Sequence, residues 1–182
     1  LGGVSCRLGV GLCAAGANTL NQVIEVDRGG RMRRTASRPL PSGRVPVLRA
    51  LLFGTLLSFL GVMLLLIVNG GPAAGVALAT IALYVGVYTP LKPVTPMATI
   101  IGSVPGALPP MIGWAAASAG AKGVLLDAGG WSIFALMFVW QTPHFLAIAW
   151  KYRALYAAAG HRVLSVTDPS RPSPPRPAVL SR

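Results

Sequence analysis

Apolar runs long enough to cross a bilayer alternate along this chain with short polar connections. Five runs lie at residues 2–24, 45–68, 72–89, 97–118 and 131–150, each close to the roughly 20 residues a helix needs to span a hydrocarbon core. None shows the two-residue alternation of a strand, and in lipid only helices and closed barrels satisfy their own backbones. The pattern predicts an all-α fold, a polytopic bundle of transmembrane helices.

The connections alternate in charge. Residues 21–44, NQVIEVDRGGRMRRTASRPLPSGR, hold two of the four acidic residues and six of the sixteen Lys and Arg residues. The next connection, Asn69-Gly70-Gly71, is uncharged. The third carries Lys92, the fourth sets Lys122 against Asp127, and Lys151, Arg153 and Arg162 follow the fifth run. Basic loops favour the cytoplasmic side, so the first, third and last connections are expected there, in a cell membrane such as the bacterial inner membrane. The first run would then start outside, and the chain begins at Leu1 rather than at a methionine. Both features predict a further helix upstream. The expected organisation is a partial intramembrane domain over residues 1–166 and a disordered tail rich in Pro, Ser and Arg over 167–182.

Composition agrees. The chain is 53% hydrophobic and 11% charged, with a mean hydropathy of +0.63, whereas soluble domains carry about a quarter charged residues. The net charge of +12 raises nucleic acid as a partner. The basic residues sit between apolar spans, however, with no aromatic or sheet-like surface around them, so the expected partner is the lipid bilayer and not nucleic acid. Cys6 and Cys13 lie roughly 10 Å apart along one helix, too far for a disulfide. Nothing in the sequence sets an oligomeric state.

Asn18, Asn21 and Glu25 recur at helical spacing and share one face at the end of the first run. An amide and a carboxylate inside a membrane are costly without a partner, water or an ion, and Asp27 adds a second carboxylate. Gly29-Gly30 reads as a helix stop. Hard oxygen ligands of this kind suit Mg²⁺, which binds through one or two carboxylates plus substrate phosphates. The arginines downstream match phosphate geometry, although a basic loop that only sets topology would look the same. Tyr84, Tyr88, Thr89 and Lys92 fall at the same end of the third run, as an anion site or as an interfacial tyrosine belt with a snorkelling lysine. Pro109-Pro110 predicts a kink in the fourth run. In the fifth, WQTPHFLAIAW puts His144 one turn beyond Trp140, and an intramembrane histidine usually faces the bundle interior or water.

Residues 21–44 resemble the first aspartate-rich motif of the protohaem IX farnesyltransferase (haem O synthase) family, within the UbiA prenyltransferase superfamily. Met32, Arg34, Thr35, Arg38, Pro39, Leu40, Ser42 and Gly43 fall where that pattern has them, and YTPLK, GALPPMIGW and WQTPH match further segments. The resemblance covers residues 10–168 and implies about nine membrane helices in a complete member. It implies transfer of a farnesyl group from farnesyl diphosphate to a vinyl of haem B. Asn21, Glu25 and Asp27 are then the Mg²⁺ ligands. Arg34, Arg38, Lys92 and Arg153 hold the diphosphate, Tyr88 and Trp140 shelter the allylic cation, and His144 stands near the haem, for whose iron imidazole is a good ligand. Four positions depart from the pattern: Gly29 and Leu155 stand where the family has acidic residues, and Pro93 and Ala98 where it tends to have Arg and Asn. A truncated or impaired copy, a prenyltransferase acting on a quinone-precursor ring, and a non-catalytic membrane fragment that binds anionic lipid remain the alternatives.

Overall fold

The computed structural model describes residues 2–31, 35–95, 97–118 and 123–152, and among these every regular element is helical. Helix α1 spans Gly2–Ile24. After a break at Glu25 a short α2, Val26–Arg31, follows. Helix α3 is Val47–Asn69, and α4, Gly71–Ile81, runs through a π-helical segment, Ala82–Tyr88, into the single turn α5, Thr89–Leu91. Helices α6, Ala98–Ala107, and α7, Pro109–Ala117, form one kinked rod, and a 3₁₀ turn leads to α8, Ala128–Lys151.

Four rods are long and apolar enough to cross a membrane: Val47–Asn69, Gly71–Leu91, Ala98–Ala117 and Ala128–Lys151. Their limits lie within three residues of those expected from hydropathy. The first expected span, α1, has the length but not the composition, because Arg7, Asn18, Thr19 and Asn21 dilute its apolar surface. The kink falls at Leu108, directly before Pro109-Pro110. The helix stop expected at Gly29-Gly30 is not there: the chain breaks earlier, at Glu25, and α2 runs through both glycines, with Gly29 N–H donating to Glu25 O at 2.7 Å. Asp127 caps α8 by accepting from Gly129 N–H at 2.8 Å.

Helix α3 is inside out by the standards of a soluble protein. Its buried residues are Ala50, Gly54, Ser58, Gly61, Leu65 and Asn69, mostly small, while Leu52, Phe53, Leu56, Phe59 and Ile67 face outward. In lipid an apolar exterior costs nothing, and association instead depends on backbones packing closely through small residues. That is how α1 meets α3. A Cβ on Gly16 would lie 2.3 Å from Ser58 Oγ and 2.7 Å from Gly54 O, and one on Gly61 would lie 2.8 Å from the backbone of Cys13. The two helices run antiparallel, since Gly2 O accepts from Asn69 Nδ2 at 3.0 Å while Gly16 meets Gly54. The apolar core is centred on Leu65, Ala73, Ala77, Met111, Ile112 and Ala115, where α3, α4 and α7 converge with Cys13 of α1.

Candidate functional site

At one end of the bundle the polar face of α1 meets the end of α4 and its continuation. Asn21 is buried, and its Oδ1 accepts from Thr89 Oγ1 at 2.8 Å and from Lys92 Nζ at 3.2 Å. Lys92 lies 3.2 Å from both carboxylate oxygens of Glu25. It donates to Oε2, and Oε1 at the same distance completes the ion pair. The ammonium also sits 4.7 Å from the centre of the Tyr88 ring, and Tyr84 OH donates to Asn18 Oδ1 at 3.4 Å.

The π-helical segment makes this meeting possible. Thr89 N–H donates to Tyr84 O, while the single hydroxyl hydrogen of Thr89 is shared between that carbonyl and Asn21 Oδ1, each 2.8 Å away, and Pro90 has no N–H to return to Gly86. Such widened turns are frequent at functional sites. Burial pushes the Lys92 pKa below its ordinary value of 10.5; Glu25 pulls it upward, and the nearby Arg38 charge adds to the depression.

Residues 35–46 fold as successive turns over this end. Thr35, almost fully buried, donates from Oγ1 to Gly29 O at 2.7 Å. Gly43 has φ +74°, a left-handed conformation that a side chain would strain. A small cleft here is lined by Gln22, Glu25, Arg28, Gly29, Thr35, Arg38 and Pro41, which places Arg38 and Glu25 on the walls of one space.

Beneath the polar cluster an elongated, mostly apolar cavity of about 380 Å³ runs into the bundle. Val10, Cys13, Ala17 and Asn18 line it from α1, Ala77, Tyr84 and Tyr88 from the Gly71–Leu91 rod, Gly102, Pro105 and Gly106 from α6, and Gln141 and Phe145 from α8. Along α1 the lining from Val10 to Asn18 extends roughly 12 Å. Two glycines shape its wall. A Cβ on Gly102 would fall 2.4 Å from the Tyr88 ring, and one on Gly106 would fall 2.1 Å from the Gln141 amide. The Tyr88 ring and the Gln141 side chain therefore lie flat on α6, one turn apart.

The structure brings together Asn21, Glu25, Lys92 and Tyr88, with Arg38 beside them, as the sequence suggested. It does not bring in Asp27, which is exposed on α2 because the break at Glu25 turns it outward. No cluster of three or more His, Cys, Asp or Glu side chains exists among the described residues. The residues that could hold a metal are accordingly Glu25 and the Asn21 amide, both of which Lys92 engages here. A cation that completes its shell with phosphate oxygens and water suits such a sparse set.

Trp140 and His144, expected beside the allylic cation and the haem, are not among the residues that line this cavity. They stack on each other, 4.9 Å between ring centres and 14° between planes, on the exposed side of α8. Gln141 and Phe145, next to them in sequence and also one turn apart, take the inward face. Arg34, Arg153, Leu155 and the tail from 167 lie outside the described residues. Sequence reasoning placed Thr89 at this end but not its contact with Asn21, and it missed Gln141, although WQTPH contained it.

The chain matches the UbiA prenyltransferase family over residues 4–173. It is similar to a protoheme IX farnesyltransferase of Solibacter usitatus, 44% identical over 173 residues, 95% of this chain and 58% of that protein. It is similar also to the mitochondrial protoheme IX farnesyltransferase of Arabidopsis thaliana, 43% identical over 89% of this chain and 36% of that protein. A third, from Salinibacter ruber, is 45% identical over 89% of this chain and 56% of that protein. The chain thus spans between about a third and three fifths of the length of these relatives. No solved structure matches it.

Proposed function

This chain belongs to the UbiA prenyltransferase family, as an integral membrane protein, and from that premise we propose that it transfers a farnesyl group from farnesyl diphosphate to a vinyl of haem B. One observation carries the proposal. A largely buried Asn21–Glu25–Lys92–Thr89 cluster adjoins an apolar cavity through Tyr88, which lines the cavity and meets Lys92, so a charged head and an apolar tail find complementary places side by side.

In this reading Lys92 and Arg38 bind the diphosphate. Glu25 and Asn21 hold Mg²⁺, which neutralises charge on the departing diphosphate when it is bound. Thr89 fixes the Asn21 amide, and Glu25 holds the Lys92 ammonium until phosphate oxygens replace it as partner. The prenyl chain lies along the cavity, and its allylic carbon, becoming cationic as the C–O bond breaks, meets the ring faces of Tyr88 and Tyr84. The haem vinyl then attacks that carbon. The active end faces the cytoplasm: the Lys92–Glu25 pair joins the first and third connections at one end, and these are the basic ones.

Reconstitution with farnesyl diphosphate and either haem B or 4-hydroxybenzoate tests the assignment. Prenylated haem is expected. Prenylation of the hydroxybenzoate alone would move the chain to quinone-precursor chemistry. Lipid binding without any Mg²⁺-dependent diphosphate binding would make it a non-catalytic membrane protein.

A further inference from the structure

The oxygens of Asn21 and Glu25 that suit a metal already hold a cation supplied by the chain itself. Lys92 Nζ lies 3.2 Å from Asn21 Oδ1 and 3.2 Å from each carboxylate oxygen of Glu25. Mg²⁺ binds oxygen at about 2.1 Å, so an ion on any of these atoms would stand within roughly 5 Å of the ammonium in its present place. The two side chains keep under a fifth of their surface exposed, 19% and 18%. Solvent screens such a pair of cations poorly, and they repel. Thr89, the other donor to Asn21 Oδ1, is neutral and has Tyr84 O as a second acceptor at 2.8 Å. The ammonium is the obstacle.

The surrounding charge points the same way. Arg28 and Arg38 line the cleft together with Glu25, so one carboxylate faces two guanidiniums as well as Lys92. Gly29 on the same wall adds no charge, and Asp27 is exposed on α2. A divalent ion arriving alone would enter a site that is already positive. A diphosphate reverses that balance. Its oxygens give Lys92 and the guanidiniums acceptors in place of Glu25, which frees Glu25 and Asn21, and they complete the shell of the metal.

We propose that Lys92 is an internal cation that closes the Asn21–Glu25 site to a free metal ion, so that metal and diphosphate bind only together. The proposal rests on the reading of this end as a diphosphate site. Lys92 moves between two anions: it sits on Glu25 until a diphosphate draws it away, and only then does the carboxylate become a metal ligand. Each of the two ligands therefore tightens the other by the same factor.

The probes are inorganic pyrophosphate and Mn²⁺, which favours the same oxygen ligands as Mg²⁺, with the full chain in phosphatidylcholine nanodiscs. Bound Mn²⁺ is read by electron paramagnetic resonance at matched free Mn²⁺, and pyrophosphate by calorimetry; neither needs turnover. The parent chain should bind Mn²⁺ about tenfold or more tighter with saturating pyrophosphate than without it. Lys92→Met should bind Mn²⁺ alone about tenfold or more tighter than the parent does, whereas Lys92→Arg, which keeps the charge, should stay closed. Glu25→Gln marks the background from other sites. The parent measurement requires no variant to fold. Equal Mn²⁺ affinity in the parent with and without pyrophosphate overturns the proposal and leaves the transfer reading standing, as does a folded Lys92→Met chain no more open than the parent. Pyrophosphate that binds neither alone nor with Mn²⁺ overturns both.

Discussion

Lys92 has three partners of different chemistry within reach, the Glu25 carboxylate, the Asn21 amide and the Tyr88 ring. Each side chain of the Lys92–Glu25 pair keeps a little under a fifth of its surface exposed, 19% and 18%. Removing one partner of a fully buried pair costs roughly 3–5 kcal/mol. With this residual solvation Lys92→Met should cost about 2 kcal/mol, and Lys92→Met with Glu25→Gln less than the sum of the singles, as denaturation in detergent would show. Activity behaves differently, since the double variant should remain inactive. Because burial and Arg38 lower the Lys92 pKa, the ammonium is lost as pH rises through a value below 10.5, and transfer should decline earlier on the alkaline side than an ordinary lysine would dictate. Lys92→Arg, if active, should move that limb upward, since arginine stays charged; an unmoved limb would assign it to another group. Asn21, Glu25 and Lys92 were legible because intramembrane polar residues are few and their helical spacing is visible. Gln141 was not, because Trp140, Gln141 and His144 are all plausible on one helix, and only packing on Gly106 decides which faces inward.

At the scale of elements, the apolar runs revealed the rods but not how they touch. The α1–α3 seam is built from Gly9, Gly16, Gly54, Ser58 and Gly61, residues that hydropathy counts as nearly neutral. Gly16→Leu should separate the two helices and cost more than the roughly 1–3 kcal/mol of ordinary overpacking, since it meets backbone rather than a yielding side chain. Gly11→Leu, with nothing within 4 Å of its Cβ position, should be close to neutral in the same unfolding measurement. The π-helical segment was equally hidden, for it depends on Thr89 reaching back to Tyr84 around a proline. Helix α2 shows the converse: Gly29-Gly30 looked like a stop, yet Gly29 is accommodated in a helix beneath Pro41, whose Cγ would lie 3.0 Å from an added Cβ. Gly29→Asp therefore needs Pro41 to yield by a few tenths of an ångström. If it does, a second carboxylate enters the Glu25 cleft and diphosphate should bind more tightly in the presence of Mg²⁺; weaker binding would show that Pro41 holds its place.

For the molecule as a whole, the charged connections foretold which loops share an end, and the Glu25–Lys92 contact bears that out. The cavity could not be foretold, because it is lined by α1 and three of the rods through residues that individually read as lipid-facing or as packing filler, Cys13, Ala77 and Phe145 among them. Its polar mouth and apolar depth are the basis for reading the chain as a transferase of a diphosphate-bearing chain. The most direct test is Mg²⁺-dependent formation of prenylated haem from haem B and farnesyl diphosphate, in membranes carrying this chain or its Glu25→Ala variant at matched protein levels. The account predicts product from the parent and a loss on the order of 10²–10³-fold in the variant, the scale of removing one preorganised electrostatic contact. Undiminished turnover in Glu25→Ala would contradict it.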